Sequence, residues 1–459
     1  ALRALGIDRN SVAPPNSVIE KDSQGNPTGM LIAQPNATIL YSAIARGPIL
    51  GPDDQLNSSR HYMREMNRLG ITSVIDAGGG GQNYPNDYQI IQKLHDENLM
   101  TVRVAYNLFT QNPGAEKADF ERWIDIAQPG QGDDFYRLNG AGEMLVFSAA
   151  DFEDFTEPRP DLMADMEGQL TEVITLLAEN KWPFRLHATY DESIARFLDV
   201  FEQVNRDVPF EGMHWILDHA ETISDRNIER VKALDGGIAI QHRMAYQGEY
   251  FLDRYGAAMT ENTPPIKKIL ATDIPLAAGT DGTRVASYNP WNGLYWLVSG
   301  KTVGGTTIYP EEQRLDRMDA LRLYTAAAGW FSNQEDNKGA IIPGQLADLA
   351  VLSEDYFSVP EERIKHLESV LTLVDGKPVY GSAEFSNFSP PPLPVSPNWS
   401  PVIHYGGYHN DSGIAHTSLA APAVISPIST PKQSNFNLSS LNLAGSLSHV
   451  WGGLACACC

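Results

Sequence analysis

Pro183-Phe184-Arg185-Leu186-His187-Ala188-Thr189, His214-Trp215-Ile216-Leu217-Asp218-His219-Ala220-Glu221 and Pro275-Leu276-Ala277-Ala278-Gly279-Thr280-Asp281-Gly282 follow one pattern. Each is an apolar run about as long as a buried strand, and each ends in a side chain that can bind a metal or move a proton. Similar runs occupy residues 71–76, 100–106, 136–139 and 237–242, which makes seven strand candidates. Amphipathic helical patterns lie between them, clearest over residues 162–178, 190–204 and 225–234. Strand and helix in alternation predict a parallel sheet. A doubly wound open sheet and a (β/α)8 TIM-type barrel both fit. The barrel is favoured because His187, His219, His242 and Asp281 all fall at strand C-termini, where a barrel gathers its active site. A barrel needs an eighth strand, and the expectation is that the first one precedes Ala1, in an N-terminal segment or a separate chain.

The 459 residues carry 34 Lys and Arg against 57 Asp and Glu, a net charge of −23. Such a surface repels nucleic acid and anionic lipid. No apolar run reaches the ~20 residues of a membrane span. Cys456, Cys458 and Cys459 are the only cysteines, so a metal site in the body must use His, Asp, Glu or Lys. The readings along the chain are a barrel over residues 1–340, N-terminally incomplete, then a small β-sandwich module over 341–385 with a hairpin at Asp375-Gly376. A Pro/Ser/Asn-rich extended arm follows over 386–459. Compartment and oligomeric state, a homo-oligomer included, are not legible.

His187, His219 and Asp281, ending three strands that converge in a barrel, suit Zn²⁺ or a similar divalent ion. The plainer alternative is that each histidine only caps its strand by hydrogen bonding. These segments, with Leu321-Arg322-Leu323-Tyr324-Thr325, the run Lys338-Gly339 to Pro343-Gly344-Gln345-Leu346-Ala347-Asp348-Leu349, and Val374-Asp375-Gly376-Lys377, resemble the metal-dependent amidohydrolase superfamily. The likeness covers roughly residues 1–381 and points to the branch of N-substituted formamide deformylase-like amide hydrolases.

The resemblance implies a barrel with a small β-sandwich and one or two divalent ions at its mouth. His187 and His219 would be ligands from strands five and six. Asp281, on strand eight, would bind metal and carry the proton from water to the leaving nitrogen. Two features depart from the family. There is no His-x-His, which belongs to the family's first strand, and the first histidine is His61. Where a bridging lysine would stand on strand four, the chain reads Tyr136-Arg137-Leu138-Asn139-Gly140-Ala141-Gly142-Glu143. Arg137 is no ligand; Glu143 could bridge instead, or be a solvated loop carboxylate.

Asn139, His242, Arg284 and Trp291 are further substrate-binding candidates. Arg243 stands beside His242, and Tyr295 and Trp296 could extend an apolar wall. Anchoring a loop or packing the core are the competing roles. Gly78-Gly79-Gly80-Gly81 lacks phosphate-loop spacing. The expected function is metal-dependent hydrolysis of a non-peptide C–N bond, an N-acyl or N-formyl amide. Its rivals are a barrel glycosidase using Glu143 and Asp281 and a catalytically silent binding protein.

Overall fold

Strands covered on both faces read as continuous apolar runs instead of alternating ones, and the computed structural model of the chain bears this out. It describes residues 2, 5–13, 17–33, 39, 43, 50–79, 82–156, 158–159, 161–282, 285–398 and 400. Gly80, Gly81, Arg284 and the cysteine-bearing tail lie outside them. The described residues form two compact units, one holding residues up to Asn57 with 394–400, the other residues 58–393. Sequence patterning places no boundary at Asn57.

In the first unit, β1 (Ser17–Lys21) and β2 (Pro27–Ala33) pair as an antiparallel hairpin. Its inner face carries Ile19, which packs with Ile7, Ile39 and Ala43. Helix α1 (Pro52–Arg68) leads into the second unit.

There, β3 (Ser73–Asp76), β4 (Arg103–Leu108), β5 (Tyr136–Ala141), β6 (Phe184–Ala188), β7 (Trp215–His219), β8 (Gly237–Gln241) and β9 (Leu276–Gly279) form one parallel sheet in chain order. Helices α2 (Gln89–Asp96), α3 (Glu116–Ile126), α4 (Met166–Glu179), α5 (Asp191–Asp207), α6 (Asp225–Ala233) and α7 (Arg243–Tyr255) cross between successive strands. This is the curled sheet of a TIM-type barrel. Among the described residues, β3 and β9 each pair along one edge only. After β9, α8 (Pro290–Ser299) starts on Asn289, whose side chain accepts from Trp291 N at 3.0 Å, with Pro290 in the first turn.

The barrel interior is filled at the N-terminal ends of the strands. Ile75, Ala105, Ile216, Ala239 and Ala277 close around Phe331, backed by Ala327, Ala328 and Trp330. Filling that end leaves the opposite mouth for chemistry. Above this floor Arg185 of β6 and Asp218 of β7, both buried, form an ion pair, with Arg185 Nε donating to Asp218 Oδ2 at 2.8 Å.

A three-stranded antiparallel sheet, β10 (Leu349–Leu352), β11 (Ser369–Val374) and β12 (Lys377–Gly381), completes the second unit. Its β11–β12 turn falls on Asp375 and Gly376, at φ 55° and 70°, as the Asp-Gly dipeptide predicts. Asp348, just ahead of β10, ties this sheet to the barrel. Its carboxylate accepts from Arg103 Nε at 2.7 Å and Nη2 at 3.0 Å, and from the Asp375 backbone N at 2.9 Å. A buried, bidentate pair is costly to break from one side. Asp348→Ala should therefore lower the unfolding free energy by about 3–5 kcal/mol in urea titration. A midpoint equal to wild type would show the pair to be dispensable.

Candidate active site

Glu143 is placed by main-chain bonds on both sides. Its N donates to Ala77 O at 2.9 Å, and its O accepts from His187 N at 2.9 Å, so the chain leaving β5 is held between the ends of β3 and β6. The approach is close: a Cβ on Gly142 would lie 2.7 Å from Ala77 O. Only glycine fits there. The carboxylate of Glu143 thus stands at the mouth as a fixed group, not a mobile loop acid.

His187 faces inward from β6 by the ordinary pleat. His219 is next to inward-facing Asp218 and would point outward in a regular strand. Its φ of 80°, followed by 53° at Ala220, turns the ring into the mouth. Asp281 at the end of β9 is also left-handed, at 50°. Non-glycine residues in this region are uncommon and concentrate where function overrides local preference.

The result is a tight trio. Glu143 Oε2 lies 3.4 Å from His187 Nδ1 and 3.1 Å from His219 Nε2. The two imidazole centroids are 4.0 Å apart. One potential ligand atom from each residue lies within 4.8 Å of the others. Arg243, the first residue of α7, links the surrounding acids. Its Nη2 donates to Asp281 Oδ2 at 2.8 Å and Gln241 Oε1 at 3.1 Å, its Nε is 3.3 Å from Glu221 Oε1, and its Nη1 pairs with Glu153.

Burial raises the Glu221 carboxyl to about 7 and that of Asp151 to about 6. Burial opposes charge on His187, but the Glu143 hydrogen bond and the charges of Glu143, Asp151 and Glu221 outweigh it and lift the ring to about 9. For Glu143, burial would raise the carboxyl; its two histidine partners hold it well below the usual range. The site therefore stabilises positive charge. Asp151 Oδ1, Glu153 Oε2 and both Glu221 oxygens are buried without a hydrogen-bond partner. Two imidazoles, a carboxylate and a surplus of unsatisfied acid oxygens are a donor set that fits a divalent cation.

A family model described as "Amidohydrolase family" matches residues 1–380. The chain belongs to the amidohydrolase family. Among its relatives, the amidohydrolase YtcJ of Bacillus subtilis is 25% identical over 405 residues, covering 83% of this chain and 71% of YtcJ. N-substituted formamide deformylase of Arthrobacter pascens is 22% identical over 402 residues, covering 82% and 69%. Of solved structures, a metal-dependent hydrolase from Pyrococcus horikoshii aligns at TM-score 0.57 with 18% identity, covering 79% of this chain and 69% of its own. Atrazine chlorohydrolase from Arthrobacter aurescens, complexed with zinc, aligns at 0.50 with 16% identity over 74% of each chain. These structural likenesses speak to the fold. The family makes the chain a hydrolase of the metal-dependent superfamily, in place of a glycosidase or a silent binder.

The remaining candidate residues separate in space. Arg137 lies toward the floor end of β5, in register with Ala105, and Glu143 holds the mouth end. Asn139 spends its amide inside the barrel, donating to Phe331 O at 3.0 Å and accepting from Asn333 Nδ2 at 2.9 Å. His242 is buried, its ring against Tyr246, and burial lowers it to about 4. Trp291 is 5% exposed and donates to Leu69 O at 3.0 Å, and Tyr295 and Trp296 are fully buried. They pack α8 and form no wall at the mouth.

Sequence reasoning missed Asp151 and Glu153. Their only signal was the acidic run Asp151-Phe152-Glu153-Asp154 shortly after β5. Because ligands must lose their protons to bind, Zn²⁺ uptake should release protons and tighten as pH rises toward about 9, where the raised His187 deprotonates. Chelator-competition titrations across pH measure this. A pH-independent affinity would contradict it.

Proposed function

We propose that the chain hydrolyses a non-peptide carbon–nitrogen bond, an N-acyl or N-formyl amide of a small molecule, with Zn²⁺ held by Glu143, His187 and His219. The observation that carries this reading is the convergence of these three residues' ligand atoms within 4.8 Å at the barrel mouth. The name of the deformylase relative supports an amide as substrate. A divalent ion there supplies Lewis acidity and brings the pKa of a water to about 7.

The rest of the work falls to the chain's own groups. Asp281 accepts the water's proton and delivers it to the leaving nitrogen, so one carboxylate serves as base and then as acid. Arg243 fixes the orientation of that carboxylate through the 2.8 Å bond to Oδ2. Asp281 stands outside the Glu143–His187–His219 trio, and we give it proton transfer ahead of ligation. His187 and His219 are fixed by the strand ends and by Glu143, so the site is preorganised and nothing need reorder during turnover.

Phe152 supports a narrower choice of substrate. It is 42% exposed, and its ring meets His187 edge-on at 4.9 Å. An apolar surface open to solvent beside the reacting centre suits an alkyl or aryl substituent on the amide.

Asp281→Asn should reduce kcat by about 10²–10⁴-fold with bound zinc unchanged, measured on a panel of N-formyl and N-acyl amines with zinc content determined in parallel. Full activity in this variant would sink the assignment. On the same panel, Phe152→Ala should raise KM for substrates with bulky apolar substituents and leave small ones unaffected.

A further inference from the structure

His187 has a second side. Its Nε2, turned away from Glu143, lies 3.3 Å from Thr189 Oγ1, 3.5 Å from Glu153 Oε2 and 3.7 Å from Asp151 Oδ1. Two of these are carboxylate oxygens, which accept only, and the hydroxyl oxygen can accept as well. Nδ1 also faces a carboxylate oxygen, Glu143 Oε2 at 3.4 Å, but that oxygen is shared with His219 Nε2, whereas two carboxylates and a hydroxyl stand around Nε2. In the neutral ring the hydrogen therefore stays on Nε2, and Nδ1, on the side of Glu143, is the lone-pair nitrogen.

The three neighbours are not equivalent. Glu153 is also ion-paired to Arg243. Thr189 has a rotatable hydroxyl that can reverse its role. Asp151 is fully buried and held rigidly, with Oδ2 accepting from the backbone N of Thr189 at 2.9 Å and of Tyr190 at 3.1 Å. Those two amides belong to the chain leaving β6, one and two residues beyond its last residue, Ala188. The carboxylate is thus locked to the same strand end that carries His187. Its other oxygen, Oδ1, has no hydrogen-bond partner and faces Nε2.

We propose that Asp151 is the positioning residue for His187: it selects the tautomer with hydrogen on Nε2 and so presents Nδ1, beside Glu143, to the metal. This rests on the reading of His187 as a ligand. The arrangement follows a general feature of metal sites, in which a carboxylate oriented by its own hydrogen bonds fixes a ligating histidine from behind and raises its basicity.

The test compares the full chain with Asp151→Asn. Asparagine retains an oxygen for the Thr189 and Tyr190 amides and can turn an NH₂ group toward His187. Zn²⁺ affinity, measured by competition with a chelating dye, should fall about 10–100-fold. In ¹⁵N-histidine-labelled, metal-free protein at alkaline pH, where the ring is neutral, wild-type His187 should carry its hydrogen on Nε2, and the variant should shift toward the Nδ1-H form. A structural role alone would not move that signal. Unchanged affinity with an unchanged tautomer overturns the proposal. If the wild-type chain binds no Zn²⁺, the metal reading fails separately, and the tautomer comparison still decides what Asp151 does. Should the variant not fold, hydrogen on Nδ1 in the wild type would overturn the proposal and hydrogen on Nε2 would support it.

Discussion

Among the described residues, Glu143, Asp151, Glu153, Glu221 and Asp281 share the mouth of this barrel with one guanidinium, that of Arg243, and the rings of His187 and His219. Isolated carboxylates are expensive to bury, and each must find a proton, a partner or a cation. Much of the local architecture follows from that need. Arg243 heads α7, so one side chain can serve acids arriving from β7, β9 and the segment after β5. The histidines are lifted toward the charged state by the same field, and burial pushes Asp151 and Glu221 toward neutrality. The divalent cation we propose would complete what these positive groups leave unbalanced.

The strands were legible because a parallel sheet covered on both faces needs uninterrupted apolar runs, and such runs stand out in a sequence. All seven were found, with limits displaced by a few residues: 100–106 against Arg103–Leu108, and 136–139 against Tyr136–Ala141. The second shift matters, because extending β5 is what brings Glu143 to the mouth. His187, His219 and Asp281 could be singled out because each sits where a strand ends, and strand ends converge in a barrel. Asp151 and Glu153 could not, since they lie on an irregular segment with no period to place them. For Trp291, Tyr295 and Trp296, pocket wall and core packing stayed open in the sequence for a related reason, and the structure gives them to the core. Helix α8 is apolar nearly all round and buried, and a helix of that kind has no sequence signal to distinguish a core face from a pocket wall.

The family motif around Asp348 gains a physical meaning from the structure. Its aspartate joins Arg103 in β4 to the turn between β11 and β12. The small sheet is thereby fastened to the strand that helps close the barrel floor.

The left-handed backbone at His219, Ala220 and Asp281 has a wider consequence. Each such residue holds about 1–3 kcal/mol of conformational strain, so the catalytic end of the sheet is a part of the fold that opposes its own stability. Glycine at Ala220 would relieve that strain, yet the same freedom would loosen the ring of His219. Selection for a hardier enzyme would be drawn to these positions first, and they are where hardiness and turnover conflict.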